Sequence, residues 1–177
     1  EIINPTTYEF SLREGVKFHD GTILTAQDVK FTFERCQQYP ETMVKVLSCP
    51  TEVENAEVID DLTVRVNLRE PYAPFLHLLT YRWFIVPEAA VRELGPEGYN
   101  EKPIGTGPFR VTEWVQGEHV VVEAFDDYFL GAPKIGKITF RTIQEDSTRV
   151  AALRSGEVDI IVNVPADSIP LIESSDG

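Results

Sequence analysis

Cysteine, histidine and methionine are scarce in this sequence: two, three and one among 177 residues. Cys36 and Cys49 do not form a CxxC pair and have no histidine at ligand spacing, so they encode neither a zinc site nor a redox motif. An oxidising compartment would let them close a small-loop disulfide; a reducing one would leave two core thiols, and the sequence leaves both open. Positive charge is also short. Sixteen Lys and Arg face 29 Asp and Glu, for a formal charge of −13 and a pI near 4.6. The deficit is not local, since residues 1–103 carry −7 and residues 104–177 carry −6. Neither part holds the clustered Lys and Arg that a phosphate backbone requires, which excludes nucleic acid as a partner class. No apolar run approaches the roughly 20 residues of a bilayer-crossing helix; the one from Trp83 to Val86 stops at Pro87. A basic region followed by an apolar one, the mark of a signal peptide, is missing too. The chain opens at Glu1 just ahead of a strand pattern and closes at Ser174-Ser175-Asp176-Gly177 after a helical one. The expectation is an internal piece of a longer protein.

The patterns present are those of a mixed α/β chain. Tyr8, Phe10 and Leu12 alternate with Glu9, Ser11 and Arg13, which predicts a half-buried strand. Asp20-Gly21 marks a turn, and Thr25 with Asp28 forms a capping-box-like start for a helix whose stripe is Ala26, Val29, Phe33 and Cys36. Gln37 to Pro50 reads as irregular. Val53–Ile59 and Leu62–Leu68 flank Asp60-Asp61 as a hairpin. Tyr72–Leu79 reads as a short helix entered through Pro71 and Pro74, Trp83–Val86 as a short strand, and Glu88–Leu94 as a helix ended by Gly95-Pro96. Gly95 to Gly107, with four glycines and two prolines, reads as the linker. A second hairpin is expected from Phe109–Val115 and His119–Phe125. Ile138–Ile143, Ser147–Arg154 and Val158–Val164 then read as strand, helix and buried strand, an order that favours a parallel pair, and Pro165–Ser174 as helix.

Enzymatic chemistry has little to stand on. His19, His77 and His119 lie far apart without HExxH or HxH spacing, so each reads as structural or solvated, and no metal site is expected. There is no GxSxG elbow and no local Cys–His signature. Gly105-Thr106-Gly107 lacks the lysine of a phosphate loop and is followed by Pro108 and a strand pattern, not a helix. Asp60-Asp61 and Asp126-Asp127 sit at hairpin ends, where turn chemistry accounts for them. The expectation is a protein that is not an enzyme and carries no cofactor.

Three ordered segments carry a resemblance. They are YEFSLREGVKFHDGTILTAQDVKFTFER from Tyr8 to Arg35, PIGTGPFRV from Pro103 to Val111, and DDYFLGAPKIGKITFRTI from Asp126 with DSTRVAALRSGEVDII from Asp146. Together they resemble the family 5 extracellular solute-binding proteins of ABC importers, which include oligopeptide-, dipeptide- and nickel-binding members. The resemblance implies a type II periplasmic-binding-protein-like fold, present in part. Residues 1–103 would be an accessory subdomain of hairpins and short helices, and residues 104–177 part of the first α/β lobe, with the second lobe absent. It further implies non-covalent capture of a small solute, most readily a short peptide, and delivery to a membrane permease from the periplasm or the extracellular side, with a lipid anchor open. A nickel or chelate receptor, and a sensor or chaperone-like domain on the same scaffold, are the alternatives. A lone piece of such a fold would expose apolar edge and either pair with itself or be marginally stable.

Candidate solute contacts are few. Solute sites are concave, mostly apolar and oriented by a handful of polar groups. Tyr81-Arg82-Trp83 places a guanidinium among large aromatics just ahead of the Gly/Pro-rich stretch. Arg82 could hold a carboxylate bidentately and Trp83 could pack on the solute, with Tyr72 ahead of the same helix as a further candidate. The competing reading is that Trp83 and Phe84 are core and Arg82 is solvated.

Overall fold

The computed structural model describes residues 1–38 and 52–174, and these fall into two compact units. The first comprises Glu1–Thr112 and Val122–Lys137, the second Glu113–Val121 and Ile138–Gly177. Both cysteine side chains lie outside the described residues, as does most of the irregular stretch after Gln37.

The first unit is built on an antiparallel sheet of β1 (Ile2–Asn4), β2 (Thr7–Ser11), β4 (Thr63–Leu68) and β3 (Val53–Asp60), in that order. Its register explains why alternation was the readable signal. Tyr8 lies opposite Val66, which lies opposite Ala56, so one face collects Tyr8, Val64, Val66 and Leu68. The other face is a polar ladder: Arg65 Nη2 donates to Glu9 at 2.8 Å, Thr7 Oγ1 to Asn67 at 3.1 Å, and Asn67 Nδ2 to Asn55 at 2.8 Å. Helix α1 (Ala26–Gln38) covers the apolar face with Ala26, Val29 and Phe33. Its start is capped as the sequence predicts: the Asp28 carboxylate accepts both the backbone N–H and the hydroxyl of Thr25, each at 3.0 Å. The opposite side of α1 contributes Phe31 to a second cluster with Val86, Val91 and Tyr99.

Helix α2 (Phe75–Arg82) follows Pro74, three residues later than the apolar pattern suggests, and α3 (Glu88–Glu101) follows Pro87. Two expectations fail in this region. Trp83–Val86 is not a strand, because its backbone finds no ladder partner and the Val86 N–H is taken by a side chain, Thr32 Oγ1, at 3.1 Å. The stretch from Gly95 is not simply a linker either. Gly95 kinks α3 at φ 69° and ψ 171°, a conformation glycine adopts without steric cost, but the helix resumes through Glu101 and buries Tyr99.

Strands β5 (Phe109–Val115), β6 (His119–Ala124) and β7 (Lys137–Arg141) form a sheet in that order, followed by α4 (Asp146–Arg154), a 3-10 turn at Ala166–Ser168 and the short α5 (Ile169–Glu173). The expected strand at Val158–Val164 is absent, and with it the parallel pair. Ile160 is 82% and Val162 69% exposed, so no neighbouring strand supplies backbone partners or cover among the described residues. No helix among those residues is long and apolar enough to cross a membrane.

Candidate functional site

Tyr72 precedes α2 and packs half-buried against the sheet core, where its carbonyl accepts the Phe75 N–H at 3.1 Å. Phe75 is the buried anchor of that helix, with its ring 4.9 Å from Tyr8 and 6.4 Å from Phe10. At the far end the backbone leaves helical geometry at Trp83 (φ −114°, ψ 92°). The Trp83 ring lies over Phe33 at 4.6 Å with a 31° tilt, so it rests on the core. The next residue, Phe84, is 64% exposed. Tyr72 and Trp83 therefore border the same apolar cluster, and the side chains of Tyr81 and Arg82 lie outside the described residues.

The segment after Trp83 is held by α1, a contact that no local pattern in the sequence signals. Thr32 Oγ1 donates to the Asp28 carbonyl at 2.8 Å and accepts the Val86 N–H. Asp28 Oδ1 accepts the Glu88 N–H at 3.0 Å, while Oδ2 serves Thr25. One carboxylate thus caps the starts of α1 and α3 together. Gln27 Nε2 donates to Glu88 Oε2 at 2.9 Å, and Arg92 Nε to Glu88 Oε1 at 2.8 Å. Partial burial raises the Glu88 pKa, but the hydrogen bonds from Gln27 and Arg92 and the charges of Arg92 and Lys30 outweigh it and hold the carboxyl below its ordinary value. A group whose folded pKa is depressed contributes stability above its unfolded pKa and loses it as pH falls through the folded value. Glu88→Gln should therefore flatten the acid limb of the stability profile below about pH 4.5, the carboxyl's ordinary range, and have its largest effect near neutrality. Urea midpoints across pH 3 to 7 check this, and superimposable profiles would refute it.

His19 acts as scaffold. Its backbone N–H donates to Gly105 O at 2.9 Å, its Nδ1 accepts the Gly105 N–H at 3.2 Å, and its Nε2 lies 3.1 Å from Gly107 O. Those partners place the proton on Nε2, and the ring meets Phe125 edge-on at 5.2 Å. The FHDG turn and the GTGP loop are thus clasped to one another. The Tyr99 hydroxyl donates to the Ile104 carbonyl on the same loop, and burial pushes that phenol up to about 12. Of the acidic pairs at hairpin ends, Asp60 does turn work, its Oδ1 accepting the Leu62 N–H at 2.8 Å, whereas Asp127 makes a long-range ion pair with Lys17 at 2.8 Å.

In the second unit, His119 sits between Glu113 at 3.2 Å and Glu118 at 3.3 Å. It borders a pocket of about 240 Å³ with Val121, Thr139, Arg141 and Thr142. Arg141 is engaged by Glu157 at 2.7 Å. The pocket is small and open. Among the described residues no group of three His, Cys, Asp or Glu side chains could hold a metal ion.

Comparison with known proteins adds what the geometry alone does not. A model of the bacterial extracellular solute-binding proteins, family 5 Middle, matches residues 3–177. The glutathione-binding protein GsiB of Pectobacterium atrosepticum is 34% identical over 173 residues, covering 96% of this chain and 33% of GsiB. GsiB of Escherichia coli K12 is 33% identical over 172 residues, with coverage of 96% and 33%. The oligopeptide-binding protein AppA of Bacillus subtilis, solved with a nonapeptide, superposes with a TM-score of 0.82 at 29% identity, covering 99% of this chain and 36% of AppA. DppA of Helicobacter pylori, solved with the peptide STSA, gives 0.81 at 26% identity, covering 97% and 38%. NikZ of Campylobacter jejuni, solved with Ni(L-His), gives 0.86 at 23% identity, covering 99% and 35%, and shares the fold. The fold is therefore that of type II periplasmic binding proteins, present in part, as the chain spans about a third of the length of the curated relatives it matches.

Proposed function

The chain belongs to the bacterial extracellular solute-binding proteins of family 5, and on that premise we propose that it is part of the receptor of an ABC importer that takes up a short peptide or peptide-like solute. The observation that carries the peptide reading is the company it keeps: relatives named for glutathione, a tripeptide, and solved relatives holding a nonapeptide and STSA. Binding is non-covalent, and closure of two lobes over the solute shifts the receptor toward the state its permease accepts. Residues 1–103 serve as the accessory subdomain and residues 104–177 as part of the first lobe. Within this piece, Arg82, Trp83, Tyr81 and Tyr72 contact the solute: Arg82 takes a carboxylate and Trp83, braced on Phe33, packs on the solute. The protein works outside the cytoplasm, as its family does.

Two measurements test this. Mass spectrometry of small molecules released on denaturing the full-length protein should find short peptides or glutathione; a chelated metal in their place would turn the reading toward a chelate receptor. Calorimetry with glutathione and STSA should give an affinity that Arg82→Gln lowers at least about tenfold, the scale of one lost charge-assisted bond. An unchanged affinity would remove Arg82 from the site.

A further inference from the structure

We propose that Thr32 is a positioning residue for the solute-contact residue Trp83 and the backbone that follows it, acting with Asp28 and Phe33 from the same helix; the inference rests on the functional reading above. The segment from Trp83 to Pro87 belongs to no sheet, so no ladder fixes it. What fixes it is α1. Thr32 Oγ1 takes the Val86 N–H at 3.1 Å, Asp28 Oδ1 takes the Glu88 N–H at 3.0 Å, and Phe33 carries the Trp83 ring at 4.6 Å. These attachments come from neighbouring positions of one helix and pin both ends of the segment.

Thr32 is the member that packing alone does not account for. Among the described residues it is the one buried side chain that is neither aliphatic nor aromatic. A hydroxyl in that setting is costly unless it is bonded, and an apolar residue of the same shape would fill the volume equally well. Here the hydroxyl is locked on both sides: its proton goes to the Asp28 carbonyl at 2.8 Å, which leaves a lone pair aimed at Val86. The rotor cannot turn without giving up a bond. The tail of α2 leads through Trp83 directly into this pinned backbone, so the direction in which Trp83 leaves the helix depends on the Thr32 bond. A misplacement of about an ångström at a recognition site is enough to cost a large part of an oriented interaction.

The test uses the full-length protein with Thr32→Val and Thr32→Ser, and Val64→Ala as a sheet-core variant that also lowers stability. Glutathione and STSA are the probes, read by calorimetry, with amide exchange of Val86 followed alongside. The expected result is at least a tenfold loss of affinity and faster Val86 exchange in Thr32→Val, both restored to within twofold in Thr32→Ser. Val64→Ala should lose stability and keep its affinity. Wild type that binds a probe, with Thr32→Val binding it equally well, overturns this inference alone, even if Val86 exchanges faster. Equal losses in Thr32→Val and Val64→Ala overturn it as well, since stability would then explain both. Wild type that binds neither probe overturns the functional reading and this inference with it.

Discussion

Phe18→Ala should destabilise the first unit by about 3–5 kcal/mol, the usual cost of emptying a buried phenylalanine site. Phe18, just ahead of the Asp20-Gly21 turn, is 0% exposed, and no other side chain in the FHDG motif is so enclosed. Its backbone is doubly bound: the Phe18 N–H donates to Thr22 O at 2.8 Å, and its carbonyl accepts the Gly21 N–H at 2.9 Å. The turn therefore cannot collapse into the vacated space without giving up its own hydrogen bonds, which places the loss toward the upper part of that range. Against a net stability of about 5–15 kcal/mol for an ordinary domain, that is between about a fifth and the whole of it. Ile23→Ala, on the same hairpin but 47% exposed, should cost about 0.5 kcal/mol or less. Urea unfolding with an unchanged m-value is the measurement. If the two variants had equal midpoints, the buried ring could not be what holds the turn.

What the sequence disclosed follows a physical line. Local and half-exposed features were legible: the alternation in β2 and β4, the hairpin around Asp60-Asp61, and the Thr25–Asp28 cap all leave a signature within a few residues, because one face of the sheet or one turn of helix decides them. Features settled by distant partners were not. Trp83–Val86 and Val158–Val164 have strand composition, yet a strand exists only where another backbone pairs with it, and composition cannot report the partner. The glycines and prolines of 95–107 suggested a passive connection, whereas Tyr99 is inserted into the core and Gly105 and Gly107 clasp His19. At the candidate site, the sequence pointed to Tyr81-Arg82-Trp83 by residue type alone. It could not show that the second oxygen of Asp28 reaches across 60 positions to Glu88, because nothing in the Thr-x-x-Asp signature distinguishes a carboxylate that caps one helix from one that caps two.

Arg149→Ala should be the most damaging single change in the second unit, at about 2–4 kcal/mol, since it removes several charge-assisted bonds together. The guanidinium is only 17% exposed and is committed almost wholly to backbone. Nη1 donates to the carbonyls of Ile143 and Gln144 at 3.0 and 2.9 Å, while Nη2 donates to the carbonyl of Asn163 at 3.2 Å and to the Asp146 carboxylate. It thereby joins the turn before α4 to the turn before the 3-10 segment, two stretches with no ladder between them. Asn163 is the only residue other than glycine with a positive φ among those described, at 57°, and a backbone held there keeps its conformation only while its surroundings enforce it. Arg149→Lys should recover less than half of the loss, because an ammonium is a compact point charge and cannot span three carbonyls as a planar fork does. Asp146→Asn should cost no more than about 1 kcal/mol, since Asp146 is 62% exposed and its pair with Arg149 is screened by solvent. That contrast separates a backbone clamp from a salt bridge: added salt should leave the clamp intact, and hydrogen exchange over residues 143–146 and 162–165 should rise together in Arg149→Ala. A rise in one stretch without the other would mean that Arg149 braces a single turn, and equal damage from Asp146→Asn would mean that the ion pair, not the carbonyls, carries the joint.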